Sequence, residues 1–402
     1  MHITHREMPE YPDFEVVERK GWNHPDSLSD GLAEELSRAY SRYTRENFGA
    51  VLHHNFDKVG LLGGGSEVAF GSGRITSPIR VLVNGRVSGS FGGAEIPIED
   101  LVVSATRRFL GERLANINPE TDLVFQWNLS TGSSPGHMTA SAADEGSRHH
   151  WFAPRSLADL RELTQLVCND TSLGCAYAPH SPLEQFLLAV EEHLRETTGP
   201  WLGGDIKMLG VRDGTDVQLT MCVPQIASEV PDLQAYIANI ELARSRVQEL
   251  AERMMPEYTL TLNTNTRDDL QRPELYLTAT GSSIESGDEG LVGRGNRING
   301  LIATERPYSM EGVCGKNPVY HTGKLYYICA QRIAERLADV SGGPVHVWVV
   351  GQSGRDLTDP WRVEVSHFKP IAEDAIEEAV SLVMKDVASI TDDLLLGNVR
   401  LY

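Results

Sequence analysis

Strand-like and helix-like segments follow one another along this chain in groups, strands then a helix, three times over, and that grouping limits the folds open to it. Runs rich in Val, Ile and aromatic residues at 14–17, 79–87 and 123–127 read as strands. Between the first two, Leu28, Leu32, Leu36, Tyr40 and Tyr43 recur at helical spacing, with Ser27 and Asp30 as an expected capped start. A second helix is predicted to open at Ser181-Pro182-Leu183-Glu184, where Ser caps and Glu closes a capping box. Strands are expected at 205–211 and 217–223, then a long helix carrying Leu233, Tyr236, Ile240, Val247, Leu250 and Met254 on one face. Strands at 258–262 and 275–279, a helix at 324–338, strands at 345–350 and 363–365 and a last helix with Ile376, Val380, Val383 and Val387 inward complete the pattern. This is an α+β chain, not a regular βαβ alternation. Three α+β domains at 1–135, 136–265 and 266–402 are expected, with soft boundaries that interleave.

Charge and cysteine usage narrow the function classes. Lys and Arg total 36 against 56 Asp and Glu, a formal net charge of −20. A surface this acidic disfavours a general nucleic-acid or anionic-membrane binder, yet a few cations gathered in one pocket still bind a small anion. The five cysteines are widely spaced with no CxxC, so neither a disulfide framework nor a structural zinc site is expected. The polar start of the chain has no apolar signal-peptide core, and 345–350 is far too short to span a bilayer. A cytoplasmic protein is expected.

Five stretches carry chemistry. Residues 281–300 hold six glycines, with Asp288, Glu289, Arg294 and Arg297 among them. Glycine lets backbone amides approach oxyanions, Arg supplies a forked charge and Asp holds a hard cation. The stretch reads equally as a phosphate-metal site and as a charged surface loop; it is not a Walker A loop. Glu18 to Ser27 lies between a strand and a helix, placing His24 and Asp26 where a helix N-terminus favours anions, or where Asp26 merely caps. Asp170, in Asn-Asp-Thr-Ser, suits an amine or ribose hydroxyl, or an Asx-turn. Asp205 and Lys207 alternate on a predicted strand and so share a face, the usual mark of a solvated edge. Lys316 and Lys324 stand on glycine-containing turns from which Lys reaches phosphate, or are ordinary surface lysines.

Taken in order, VERKG…HPDS at 17–27, GAVLHHN at 49–55, NDTSLG…YAP at 169–179, DIK at 205–207, GD.G.VGRGNR.NGLI at 287–302 and GKNPV.H.GK at 315–324 resemble the archaeal-type S-adenosylmethionine synthetases. The resemblance implies three similar α+β domains in a pseudo-threefold arrangement, and a homodimer or dimer of dimers sharing its sites. It implies attack of the methionine sulfur on C5′ of ATP, with the triphosphate cleaved to pyrophosphate and phosphate. Mg²⁺ is implied, and K⁺ as a second ion. By the same resemblance His24, Lys207, Arg294 and Lys316 handle the triphosphate, and Asp26 and Asp288 hold metal. Asp170 holds substrate, and Ser130, Thr131, Gly132, Ser133 and Asp205 hold the nucleotide.

The chain departs from that pattern around these residues. Asn23 replaces the usual Gly before HPDS, Ser130-Thr-Gly-Ser133 replaces Gly-Gln-Gly-Ser, and Tyr320-His321 replaces Asn-His. Alternatives therefore stay open: a paralogue with an altered thioether or nucleotide, or a non-catalytic regulatory subunit.

Overall fold

The computed structural model describes residues 1–9, 13–132, 144, 147–161, 165–272 and 274–402. Its strands form three larger sheets, each carrying a pair of helices. In one sheet the spatial order is His2–Glu7, Arg362–His367, Val345–Val350 and Leu173–Ala178, with the first pair parallel and the others antiparallel. Helices Thr322–Ser341 and Glu373–Lys385 accompany it. A second sheet runs Leu123–Ser130, Ile79–Val87, Gly60–Leu62 and Glu289–Leu291, with His54–Asn55 also on Ile79–Val87. It carries Pro25–Phe48 and Ile98–Arg113. The third runs Thr259–Thr264, Asp216–Cys222, Lys207–Asp213, Phe14–Lys20 and Ile302–Ala303, under helices Pro182–Thr197 and Leu233–Met254.

The mixed α+β composition expected from the sequence is present. Each sheet draws strands from distant parts of the chain: Phe14–Lys20 joins the third sheet, and Glu289–Leu291 closes the edge of the second. The first two sheets share one apolar core and the third has its own. Patterning explains much of this. Val345, Val347 and Val349 alternate inward along their strand. Ile376, Val380 and Val383 recur on the buried stripe of the helix Glu373–Lys385.

The expected capping box is formed: Glu184 N–H donates to Ser181 Oγ at 3.2 Å and Ser181 N–H donates to the Glu184 carboxylate at 2.7 Å. Two expectations are corrected. The first helix is capped by His24, not Ser27; Asp26 N–H donates to His24 Nδ1 at 3.1 Å and Pro25 opens the helix. The strand predicted for 14–17 continues through the charged Glu18-Arg19-Lys20. Arg19 lies fully inside, on Glu191 at 2.8 Å and the Gly300 carbonyl at 2.6 Å, so its charge is matched within the protein. Among the described residues no helix is long and apolar enough to cross a membrane.

Candidate active site

The first group of functional side chains forms where two chain segments zip together. Gly21 N–H donates to the Ile206 carbonyl at 2.7 Å and Asn23 N–H donates to the Gly204 carbonyl at 3.0 Å. A side chain at Gly21 would begin 2.6 Å from that Ile206 oxygen, so glycine permits the approach. The zipper sets His24 beside Asp205 and Lys207. Burial holds the His24 imidazole below its ordinary pKa; Asp205 and Asp26 oppose the shift, while Lys20 and Lys207 reinforce it.

Asp205 is not on a strand face with Lys207, because the strand begins only at Lys207. Its carboxylate is turned inward and accepts from Ser283 N–H at 2.9 Å, Ser283 O–H at 2.6 Å and Tyr276 O–H at 3.1 Å. Burial pushes its pKa up, and His24 and these donors pull against the shift. Ser283 Oγ also lies 2.9 Å from Asp288, whose side chain is exposed. Lys207 is half exposed, 3.2 Å from Glu18, and so stays accessible to a ligand.

The glycine-rich stretch behaves differently from the expectation. Several of its amides are directed at carboxylates of the first helix: Leu291 N–H donates to Asp26 at 3.0 Å, and Gly293 and Gly295 N–H donate to Asp30 at 2.7 and 3.1 Å. Lys20 bridges Asp26 at 2.8 Å and the Arg294 carbonyl at 2.6 Å. The Arg294 side chain is exposed.

The second group lies further along that helix. Lys316 is buried, ion-paired to Glu311 and 3.7 Å from Asp57. Burial pushes its pKa down to about 8, with Asp57 opposing, Lys58 reinforcing and Asp170 opposing. Lys324 is not poised for phosphate. It is wholly buried, donating to both Glu34 oxygens at 2.8 and 2.6 Å and to the Lys316 carbonyl at 2.9 Å.

Asp170 accepts from Thr171 N–H at 2.7 Å, and with His53, Arg86, Trp151, Tyr320 and His321 it lines a cavity of about 190 Å³. Within that cavity Tyr320 O–H and His53 Nδ1 are 2.7 Å apart, and the His53 ring stacks on Trp151 at 5.5 Å. Ser130 pairs in register with Arg86, and Gly132 N–H donates to Ser130 Oγ at 3.1 Å; Thr131 is exposed. Ser133 lies outside the described residues.

The structure thus brings His24, Asp26, Asp205, Lys207 and Asp288 together, and sets Lys316 and Asp170 in a second group, with Ser130 one strand over from Arg86 of the Asp170 cavity. Asp26, Asp30, Glu34 and Ser37 join the two along one buried stripe of Pro25–Phe48. From Asp26 to Glu34 is eight residues, a rise of ~12 Å. Lys20, Asp30, Glu34, His53 and Glu311 went unread as site residues. The available signal was the acid at every fourth position, 26, 30 and 34, which sequence reasoning assigns to solvent.

No group of three or more His, Cys, Asp or Glu side chains converges as a metal cage among the described residues. Mg²⁺ carried by phosphate takes one or two carboxylates and otherwise keeps water and phosphate oxygens. Asp288, exposed beside Ser283, fits such a ligand. Asp26 fits less freely, since Lys20 and the Leu291 amide already occupy its oxygens.

Comparison with known proteins gives a consistent assignment. The family model for S-adenosylmethionine synthetase (AdoMet synthetase) matches residues 2–144 and 154–398. The S-adenosylmethionine synthase of Aeropyrum pernix is 37% identical, over 96% of this chain and 95% of its own. That of Pyrobaculum neutrophilum is 34% identical over 96% of both chains. That of Haloarcula marismortui is 36% identical over 95% of this chain and 90% of its own.

Proposed function

The chain belongs to the S-adenosylmethionine synthetase family, and we propose that it makes S-adenosylmethionine from ATP and L-methionine by attack of the thioether sulfur on C5′, then cleaves the triphosphate to pyrophosphate and phosphate. The observation that carries the residue assignment is the convergence of His24, Asp205 and Lys207, with Lys207 left half exposed.

A triphosphate leaving group develops strong negative charge, and fixed cations aimed at it lower the barrier. Lys207, Arg294 and Lys316 supply those cations. His24, neutral through burial, hydrogen-bonds the phosphate chain near the departing oxygen. Asp170 takes the substrate ammonium, and Ser130, Thr131, Gly132, Ser133 and Asp205 hold the nucleoside. Asp288 and Asp26 would hold Mg²⁺, which supplies charge neutralisation at the phosphates; K⁺ is a second ion of the same reading. The protein works in the cytoplasm as a homodimer or dimer of dimers. Division of the assigned residues into two groups on one chain supports completion of each site by a second copy. Its three α+β domains, at 1–135, 136–265 and 266–402 with strands that interleave between them, are related by a pseudo-threefold axis.

Mass spectrometry of products from the purified chain with ATP, Mg²⁺ and methionine tests this. S-adenosylmethionine, pyrophosphate and phosphate are expected in equal amounts, and their absence would overturn it. A second reading, a paralogue with an altered thioether, is favoured by Tyr320, whose phenol meets His53 inside the Asp170 cavity. Parallel assays with methionine analogues separate the two.

A further inference from the structure

A second cavity, of about 370 Å³, opens between helices Ile98–Arg113 and Pro182–Thr197 and is bordered by the turn that carries His24. None of the groups assigned to the reaction lines it. Trp22, Leu202 and Ile226 give it apolar walls, Arg113 and Arg195 are among its lining residues, and the exposed Glu112 borders it. Neither Arg113 nor Arg195 has a carboxylate partner within ion-pair distance among the described residues. Arg113 instead lies 4.0 Å over the Phe109 ring and donates to Tyr402 O–H at 3.2 Å, and Arg195 is exposed. A third cation, Arg400, sits 4.2 Å over the Trp22 ring. The Glu191 carboxylate in the wall is already matched by Arg19 and by Trp22 N–H at 2.7 Å.

We propose that this cleft is a second small-molecule site, for a nucleoside phosphate that modulates turnover. The volume falls in the range of ligand pockets, and clefts between packed units are where such pockets form. Guanidinium groups lacking a carboxylate match phosphate oxygens in a fork. An indole offers a nucleobase a stacking surface, and Glu112 is an acceptor for ribose hydroxyls. The occupant also meets the backbone that sets the reacting groups. Asn23 Nδ2–H donates to the Arg113 carbonyl at 2.7 Å, Asn23 N–H donates to the Gly204 carbonyl at 3.0 Å, and Ser282 O–H donates to the Asn23 carbonyl at 2.6 Å. His24 and Asp205 are the next residues along. A ligand between Arg113 and Asn23 therefore shifts the zipper on which the His24–Asp205 pair depends, without entering the reaction site.

AMP is the probe, because it lacks the triphosphate leaving group and cannot react. Equilibrium dialysis measures its binding to the full chain, and steady-state kinetics measure its effect against ATP. Arg195→Glu, on the surface, is expected to weaken AMP binding by about tenfold or more while leaving turnover without AMP unchanged. Trp22→Leu, whose fold is checked by circular dichroism, is expected to weaken it as well. In the parent, AMP is expected to change kcat with a pattern not competitive with ATP. Equal AMP affinity in parent and Arg195→Glu would overturn the proposal. So would purely competitive inhibition that Arg195→Glu leaves intact, which places AMP in the reaction site alone. Dialysis reads the cleft without turnover, so failure of the synthetase assignment would leave this result interpretable.

Discussion

Asp30 and Gly295 are fitted to one another: the glycine N–H donates to Asp30 Oδ2 at 3.1 Å, and a methyl group on Gly295 would begin 2.2 Å from that same oxygen. A loop whose amides look ready for phosphate is thus locked onto a carboxylate of the helix beneath it. Gly295→Ala must either push Asp30 aside or move the loop. Overpacking of this kind costs ~1–3 kcal/mol, read as a lower midpoint in urea unfolding. An unchanged midpoint would show that the loop yields freely.

The same carboxylate makes stability depend on pH. Burial drives the Asp30 pKa from 3.8 up to about 7, against the pull of the Gly293 and Gly295 amides and Arg297. The folded state then binds this proton more tightly than the unfolded chain. Its contribution is complete below pH ~4 and is lost as pH rises through about 7, because the unfolded state ionises first. Asp30→Asn removes that slope. Unfolding free energies at pH 5 and pH 8 should differ less in the variant than in the parent; an equal difference would place the slope elsewhere.

How far the chain could be read from its sequence follows from where each partner lies. The HPDS, DIK and GKNP segments are local strings, so their chemistry was visible residue by residue. The Ser181–Glu184 box was legible for the same reason, since both partners sit within one turn. Asp30 and Glu34 were not, because their partners are 263 and 290 positions away in the chain, at Gly293 and Lys324. Position on an amphipathic helix marks an acid as solvated unless a distant loop is known to cover it. The same limit explains Asp205, whose inward turn depends on Ser283 and Tyr276.

If Lys316 meets the phosphates as proposed, it sets an upper pH limit on activity. Burial lowers its pKa to about 8, and the ammonium form is the one that neutralises phosphate. In the free enzyme kcat/KM for ATP should therefore fall as pH rises through about 8. Lys316→Arg keeps the charge at all working pH values, so the falling limb should disappear even where the absolute rate is lower. A limb that persists in the variant belongs to another group.

Lys207 differs from Lys316 in being half exposed and only loosely held, at 3.2 Å from Glu18. Its loss should leave the fold nearly untouched, within about 0.5 kcal/mol. If it meets the triphosphate as charge develops, Lys207→Ala should cost ~3–4 kcal/mol of transition-state stabilisation, a fall of roughly a hundredfold to a thousandfold in kcat. Normal turnover in a folded variant would remove Lys207 from the reaction.

Lys324 answers to the opposite logic, because its ammonium is fully buried and held by both oxygens of Glu34, with the Gly315 amide on the same carboxylate at 3.1 Å. Removing one member of a buried pair strands the other charge away from water, which typically costs ~3–5 kcal/mol, whereas removing both is much less damaging. Lys324→Met alone should therefore destabilise the fold more than the double change Glu34→Gln with Lys324→Met. The Gly315 amide keeps an acceptor in the Gln carbonyl of the double variant. Since the pair underlies the turn that presents Lys316, the single variant should also lose activity, and the double variant should recover part of it. If the double variant proves no more stable than Lys324→Met, the carboxylate was not left stranded, and the pair does not hold this turn in the way its geometry implies.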